Sequence, residues 1–358
     1  MNPGYLSYNF NMYIRKTYFL NYMRKAAIVC VLLSVGGMTV AQDFGNVGLL
    51  IEMYKEDASG GAIDAENYFQ GFLEPAVNGI GFGVSGGWFN TAETHKVGGF
   101  DITATLTAAF VPDTDLTFRL DNANTVNVLS PADGNLPTIL GSNEVPSMEL
   151  KSGSAPFDAL PGLGFGDDIG YNIVPTPMAQ LGVGLPKGIE LKIRFIPEVN
   201  QNDLAIKMFG VGVMTDIKQF IPGIKLAPFH LSGFIGYNRM NMSAGFDTNI
   251  ARNGGEMIFG FNSLTFQAVV SKKLSILTVY SAIGTSNTGM NLKVNGEFDL
   301  DNDTSVYELV NPIDMDFKAF GPKVSAGFRL KLAVVTLHVD YTLQKFNALT
   351  AGVGISIR

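Results

Sequence analysis

The sequence predicts an all-β fold, a transmembrane antiparallel β-barrel of about 12 strands (12–14) with a short helical segment in front of it. Three observations lead to this prediction. Several segments of about ten residues alternate between apolar and polar side chains, which is the pattern of barrel strands. Charged residues make up only 16% of the chain, against about 25% in soluble domains. No run of about 18 apolar residues is present outside the N-terminal region, so no spanning helix is expected.

The clearest strands are the last three, at 323–332, 335–344 and 349–358. In 335–344 every odd position is apolar, from Val335 to Leu343, and every even position is polar, from Thr336 to Gln344. Strands of soluble proteins usually run about 5–6 residues. Three neighbouring segments of about ten residues therefore favour a membrane barrel over a soluble β-sandwich.

The N-terminus is predicted to be an export signal. A basic stretch at Met23-Arg24-Lys25 precedes an apolar core at 26–35 and a small-residue cleavage site ending at Ala41. We therefore expect residues 1–41 to be an upstream extension plus a signal peptide, cleaved after Ala41. This removes four of the 25 basic residues and none of the 32 acidic ones, which leaves a charge of 21 − 32 = −11. The only cysteine, Cys30, lies in the removed part.

The remaining chain divides into a segment at 42–78 and a predicted barrel at 79–358. Apolar residues in 42–78 follow helical spacing until Pro75, which is expected to end the helix. Such a segment fits either a plug inside the lumen or a periplasmic lead-in to the barrel.

Twelve spanning strands follow from the alternation of apolar and polar residues. The long connections 125–177 and 285–316 then lie at one end and the short turns at the other, which is the usual arrangement in bacterial barrels. A further alternating segment at 290–300, paired with 305–311, would make the count fourteen. The predicted strands are 79–90, 98–111, 115–124, 178–185, 189–198, 205–219, 228–243, 257–272, 275–284, 317–331, 334–344 and 349–358.

Two turns allow the register to be predicted. The loop Pro186-Lys187-Gly188 supplies a glycine for a left-handed position. A two-residue turn at Leu332-Ala333 places Arg329 opposite Thr336 on the polar face. It also places Lys323 diagonally from Asp340, within reach of an ion pair.

The polar faces of several strands carry charges of both signs, which are expected to line the lumen. They fit either a wall of salt bridges or a selectivity filter. The residues are Glu190, Lys192, Arg194, Lys323, Arg329, Lys331, His338 and Asp340.

A second group of residues suggests a hydrophobic ligand. The long loop is apolar and rich in glycine where a loop is usually polar, and one strand carries apolar residues on its expected lumen face. The alternative is that these loop residues pack on the rim of the barrel. The candidates are Phe157, Leu160, Leu163, Phe165, Phe234, Met240 and Met242.

Other motifs do not support chemistry. The glycine pattern at 81–86 lies in a predicted strand and lacks the following helix that a dinucleotide site requires. The acidic residues near 299–303 and 167–168 fit a solvated loop better than a calcium site. His95, in a loop, and the lumen-facing His230 and His338 form no recognisable ligand set or catalytic set. We expect no enzyme activity, cofactor, metal ion or nucleic acid partner.

Five short motifs recur in a known family. They are Gly87-Trp88-Phe89-Asn90-Thr91-Ala92, Gln180-Leu181-Gly182-Val183-Gly184-Leu185-Pro186-Lys187, Arg194-Phe195-Ile196-Pro197, Asp216-Ile217-Lys218-Gln219-Phe220-Ile221-Pro222 and Asp340-Tyr341-Thr342-Leu343-Gln344. With these motifs the chain resembles an uncharacterised family of outer-membrane β-barrels from Bacteroidota, which carries a domain of unknown function. The chain is also distantly similar to the long-chain fatty-acid transporters of the outer membrane. That second resemblance implies an N-terminal hatch and a hydrophobic substrate.

Together these observations predict an outer-membrane channel or transporter for small hydrophobic molecules, gated by 42–78. The alternatives are a passive polar porin and a structural or adhesive barrel with long surface loops. The expected partners are outer-membrane lipid, lipopolysaccharide, the barrel assembly machinery and a small hydrophobic ligand.

Overall fold

The computed structural model describes Met53 and residues 58–357, except 154, 165, 167–169, 202–203, 247–253, 300–307 and 312. The described residues form a closed barrel of ten antiparallel strands. Consecutive barrel strands are neighbours, and the first strand closes the barrel by pairing with the last. Its strands are β1 (Phe100–Phe110), β7 (Ile173–Leu185), β8 (Ile189–Gln201), β9 (Leu204–Asp216), β10 (His230–Phe246), β11 (Gly255–Leu274), β12 (Leu277–Asn295), β15 (Ile313–Leu332), β16 (Val335–Leu343) and β17 (Ala348–Ile357).

The remaining elements lie inside the barrel or at its two ends. A 27-residue helix, α1 (Ala58–Val84), runs into the lumen. None of the described helices has the length and apolar character needed to cross a membrane. The other elements are the strands β2 (Thr117–Arg119), β3 (Val126–Ser130), β4 (Asn135–Pro137), β5 (Ser147–Leu150), β6 (Phe157–Asp158), β13 (Glu297–Asp299) and β14 (Glu308–Val310), and the 3₁₀ turns Asp113–Asp115, Pro186–Gly188 and Lys218–Phe220.

The burial of side chains along the strands is the reverse of that in a soluble protein. In β16 the polar residues Thr336, His338 and Asp340 are buried, whereas Leu337 and Leu343 are exposed. The same inversion holds in β1 and β17. Exposed apolar side chains around a closed barrel are stable when lipid covers them. The fold is therefore a transmembrane β-barrel, as predicted.

The predicted number of strands was wrong, because two of the twelve segments do not join the barrel. Residues 79–84 form the last turns of α1, and residues 85–99 contain no strand. In 115–124 only the three-residue strand β2 forms, and it pairs with β4 outside the barrel. The alternation in each segment is real, but it reflects packing inside the lumen and in a loop. Losing two strands also preserves the even count, so the check on connection lengths could not detect the error.

Pro75 does not end the helix as predicted, since α1 continues for nine residues beyond it. A proline inside a helix clashes with the carbonyl group four residues earlier and removes one hydrogen bond. Here that earlier residue is Gly71, and Pro75 itself is buried. The packing of the helix inside the barrel therefore overrides the local preference.

The segment at 290–311 does not add spanning strands. Residues 290–295 are the end of β12, which extends the barrel wall beyond the predicted limit at 284. The short strands β13 and β14 pair only with each other. The fourteen-strand alternative is thus excluded for the described residues.

The predicted hairpin between β15 and β16 is shifted. The turn residues are Ala333 and Val334, and Ala333 has a φ of 55°. As a result Arg329 lies opposite His338 rather than Thr336. A shift of the partner by two residues keeps every side chain on its predicted face. The turn at Pro186–Gly188 forms as expected, with both Lys187 and Gly188 in the left-handed region.

The two ends of the barrel differ, and we call them the turn end and the loop end. The turn end carries the short connections, for example 186–188 and 333–334, together with Phe100 and Ile357. The loop end carries 111–172 and 296–312. The small strands β2 to β6 of 111–172 pack on the first half of α1 and form what we call the cap.

Candidate functional site

The centre of the lumen is filled by the segment that follows α1. Trp88 and Phe89 pack on Phe234 of β10, with ring centroids 5.2 and 5.6 Å away. Phe89 also meets Tyr280 of β12 at 6.5 Å. All four aromatic side chains are buried. We call α1 and residues 85–99 together the plug, because they occupy the lumen from the loop end to the turn end.

The barrel wall caps the last turn of α1. A helix ends with carbonyl groups that have no partner within the helix, and they carry the negative end of its dipole. Arg194 of β8 donates to the carbonyl oxygens of Val84 and Gly86, at 2.9 and 2.7 Å. Asn238 donates to Val84 and Lys323 to Ser85, at 2.9 and 3.0 Å. Side chains from three strands therefore donate hydrogen bonds to the carbonyl oxygens at the end of the helix, in the interior of the barrel.

Arg194 is fully buried and makes the largest share of these contacts. Its Nε donates to Gln180 Oε1 at 3.1 Å, and its guanidinium group lies 3.6 Å from the centre of the Trp88 ring. Gln180 in turn donates to the carbonyl oxygen of Trp88 at 3.1 Å. A charge on the wall is thus matched by the plug, through carbonyl oxygens and an aromatic face.

Glycines allow α1 to lie against the wall. A Cβ atom at Gly79 would meet Val174 Cγ2 at 2.5 Å. At Gly83, one turn further on, it would clash with the Thr176 hydroxyl group. The glycine pattern at 81–86 therefore serves close helix packing, since larger side chains on this face would push the helix away from β7.

At the turn end, polar groups fasten the plug to the wall. His95 of the plug places Nδ1 2.8 Å from Glu190 Oε2 and Nε2 3.1 Å from Ser356 Oγ. Lys192 forms an ion pair with the other oxygen of Glu190. Further up, Ser232 donates to the carbonyl oxygen of Ala92 at 2.6 Å.

Among the described residues, His95, Asp101 and Glu190 are the one group with metal-ligand atoms close together, within 4.8 Å of one another. A metal ion there would compete with Lys192, which already neutralises Glu190. The arrangement therefore fits an ion-paired cluster that holds the plug. Sequence reasoning placed His95 in a loop, and the long distance in sequence from Glu190 gave no signal of this contact.

The other expected lumen charges take varied positions. Arg329 and His338 are buried, Lys331 is half-buried, and Asp340 accepts a hydrogen bond from Tyr280 at 2.9 Å. Lys323 contacts the plug rather than forming the predicted ion pair with Asp340. His230 is half-buried at the start of β10. Glu190 and Lys192, two of the predicted wall charges, form an ion pair with each other.

The cap holds the first half of α1 at the loop end. Asp64 accepts hydrogen bonds from the backbone of Asn124 and Thr125, at 2.8 and 2.6 Å. The Tyr68 hydroxyl group donates to the carbonyl oxygen of Leu160 at 3.3 Å and accepts from its N–H at 3.0 Å. Burial raises the pKa of Tyr68 well above its ordinary value, while the backbone hydrogen bond from Leu160 opposes the rise. The hydroxyl group therefore stays protonated and able to donate.

The wall of the barrel is incompletely paired between β7 and β8. Their ladder runs from Leu185–Ile189 to Gln180–Arg194 and stops there, although both strands continue towards the loop end. Pro175 and Pro177 lie in the unpaired part of β7, and Pro197 lies in that of β8. Proline has no N–H to donate, so it is confined to strand edges and bulges. We call this unpaired stretch, 173–179 against 195–201, the seam.

An apolar pocket lies behind the seam. It is a cavity of about 30 Å³ lined by α1 on one side and by β7 to β10 on the others. Its residues are Ile80, Val84, Pro175, Thr176, Pro177, Ile196, Ile206, Met208, Met240 and Met242. Because Pro175, Pro177 and Ile196 belong to the two strands of the seam, the pocket adjoins the stretch where β7 and β8 are not paired.

The predicted ligand-binding residues are divided between three places. Met240 and Met242 line the pocket. Phe234 packs on the plug, and Phe157, Leu160 and Leu163 are in or against the apolar clusters of the cap and plug. Phe165, together with Asp167, Asp168, Asp301 and Asp303, lies outside the described residues. From the sequence, Ile80 and Val84 were not identified as pocket residues, because they were placed in a strand. Pro175 and Pro177, which mark the unpaired part of β7, were not used either.

The closed strand order, the exposed apolar belt and the filled lumen define a transmembrane β-barrel with an internal plug. The chain belongs to a family of unknown function, DUF6588, whose family model matches residues 23–357. None of the curated protein sequences compared with the chain matches it.

Several solved structures are similar to parts of the chain at low sequence identity. Ail, the attachment invasion locus protein of Yersinia pestis, has 8% identity and a TM-score of 0.27, with 73% of this chain and 99% of Ail covered. The translocator domain of the autotransporter NalP from Neisseria meningitidis has 10% identity and a TM-score of 0.27, with 74% of this chain and 90% of that domain covered. A Pseudomonas aeruginosa FadL homologue has 10% identity and a TM-score of 0.20, with 72% of this chain and 89% of the homologue covered.

Proposed function

We propose that this protein is an outer-membrane barrel that carries small hydrophobic molecules through the seam between its interior and the surrounding lipid. The observation that carries the proposal is the ladder between β7 and β8, which stops at Gln180–Arg194 in front of an apolar pocket. In this proposal the turn end faces the periplasm and the loop end the outside, as in other bacterial barrels.

The position of the opening supports a hydrophobic cargo. Polar solutes cross a barrel along its axis, but here Trp88, Phe89 and the end of α1 block that path. The seam opens instead on the side that lipid covers, where an apolar molecule can leave water without crossing a polar lumen. Three methionines line the pocket, and their unbranched side chains can repack around ligands of different shapes.

A covalent staple tests whether the seam is the route. Continuing the ladder by one step would place Ala179 opposite Phe195, both on the outward face. Cysteines at these two positions, in a chain with Cys30 changed to Ser, would be joined by oxidation or by a short bis-maleimide. We expect the staple to abolish protein-dependent transfer of a labelled fatty acid or fluorescent apolar dye into vesicle lipid. Reduction of the disulfide should restore transfer.

The matched control is the pair Leu181→Cys and Ile193→Cys. These residues face the same side two positions away, where the ladder is already formed. Their disulfide should leave transfer unchanged. Equal transfer with the Ala179–Phe195 staple open and closed would rule out the seam as the route.

A further inference from the structure

The lining of the pocket contains no ionisable side chain. Of its ten residues nine are apolar, and the tenth is Thr176. Pockets that select acids usually present a cation to the carboxylate group. The sequence of β7 to β10 contains such cations, so where they point decides which ligands the pocket can accept.

None of the basic side chains described on these strands lines the pocket. Arg194 is occupied by the carbonyl oxygens of the plug, by Gln180 and by the Trp88 ring. Lys192 is paired with Glu190 at the turn end. Lys207 and Arg239 face outward, and Lys207 pairs with Glu198 at 3.1 Å.

An acidic ligand would therefore carry its charge into apolar surroundings without a partner. Burial of an ionised group without compensation costs several kcal/mol. We propose that the pocket binds neutral apolar molecules and discriminates against molecules of similar shape that carry an ionised acid. This inference rests on the proposed function, because it names the class of cargo that the same pocket accepts.

Two fluorescent probes with one skeleton test the proposal. N-phenyl-1-naphthylamine is neutral, and 1-anilinonaphthalene-8-sulfonate adds a single anionic group. Binding of each to the full-length protein in zwitterionic vesicles would be measured by fluorescence titration, with protein-free vesicles as background. We expect the neutral probe to bind at least about tenfold more tightly, since each 1.4 kcal/mol is a factor of ten.

The outcomes separate the inference from the function on which it rests. Equal or tighter binding of the sulfonate would overturn the inference while leaving a hydrophobic pocket in place. Failure of both probes to bind above background would overturn the proposed function and the inference together. The comparison uses the unaltered protein, so it does not depend on whether any variant folds.

A substitution gives the proposal a second test. Met208 is buried in the lining of the pocket. Met208→Lys should reverse the preference towards the sulfonate, whereas the size-matched Met208→Leu should keep the preference for the neutral probe. Folding of both variants would be checked by the difference in gel migration between heated and unheated samples. A folded Met208→Lys protein that still prefers the neutral probe would contradict the assignment of this pocket as the binding site.

Discussion

At the scale of the residue, a buried positive charge in this barrel serves to cap a helix. Arg194 has a guanidinium group that is fully buried and whose three nitrogens all donate to described partners. Two of those partners are carbonyl oxygens at the end of α1, where the dipole of the helix favours a cation. Removing the side chain would take the Arg194 donor away from both oxygens; Val84 would keep Asn238, whereas the Gly86 oxygen would lose the partner that Arg194 supplies.

We expect Arg194→Met to loosen the plug while the barrel still forms. An unsatisfied buried acceptor costs about 1–3 kcal/mol, and Met keeps much of the apolar volume. Trp88, the only tryptophan, lies against Arg194 and reports the change. Its emission should shift to longer wavelength, and it should become accessible to a water-soluble quencher. Arg119→Met, at an exposed position in the cap, is the control and should change neither the emission wavelength nor the accessibility of Trp88 to the quencher. Unchanged emission in both variants would contradict the capping role of Arg194.

At the scale of the element, the stability of α1 depends on the barrel that surrounds it. It includes six glycines and a proline, and glycine lowers helix stability by about 1 kcal/mol relative to alanine. Its stability comes from burial against β7, from the cap around Asp64 and Tyr68, and from the wall groups at its end. The same glycines produced an apparent strand pattern in the sequence, which explains the wrong prediction at 79–90.

Two prolines in β7 remove the N–H groups that pairing with β8 would need in the seam. We expect the double substitution Pro175→Val and Pro177→Val to supply two N–H groups and to extend the ladder with β8. Transfer of an apolar probe should fall, and amide hydrogen exchange in 173–179 should slow. Pro137→Val, in the cap strand β4, is the control. Faster or unchanged exchange in 173–179 would show that the prolines do not keep the seam open.

At the scale of the whole molecule, the barrel encloses a chain segment rather than water. The lumen cavity beside Trp88, Phe89 and Lys323 is about 10 Å³, which is no more than a single water molecule needs. The plug is fastened by the cap at the loop end and by the cluster around His95 at the turn end. Such a barrel offers no continuous aqueous path through the described part of the chain.

We therefore expect vesicles that contain the protein not to swell in isotonic solutions of small sugars. The double variant Trp88→Ala and Phe89→Ala removes the two aromatic side chains that the plug places in the lumen centre, and it should permit swelling. An unrelated open porin in the same vesicles is the positive control. Swelling with the unaltered protein would favour the passive polar porin over the proposed function.

Much of this architecture could be predicted from the sequence, because strand alternation is a local property. The two faces of strands such as β16, the even number of strands, the positions of long and short connections and the turn at Pro186–Gly188 all follow from neighbouring residues. The inward position of Arg194, Lys323, Met240 and Met242 followed from the same period of two.

The partners of those residues could not be predicted, since they come from distant parts of the chain. Arg194 meets Val84 across 110 positions, Lys323 meets Ser85 across 238, and His95 meets Ser356 across 261. By itself the sequence determined a lipid-facing barrel with a polar inner face, because period and hydrophobicity are local. Only the tertiary structure decided that a helix fills that interior and that the pairing of β7 with β8 ends in front of an apolar pocket, because both depend on which distant segments share the same enclosed space.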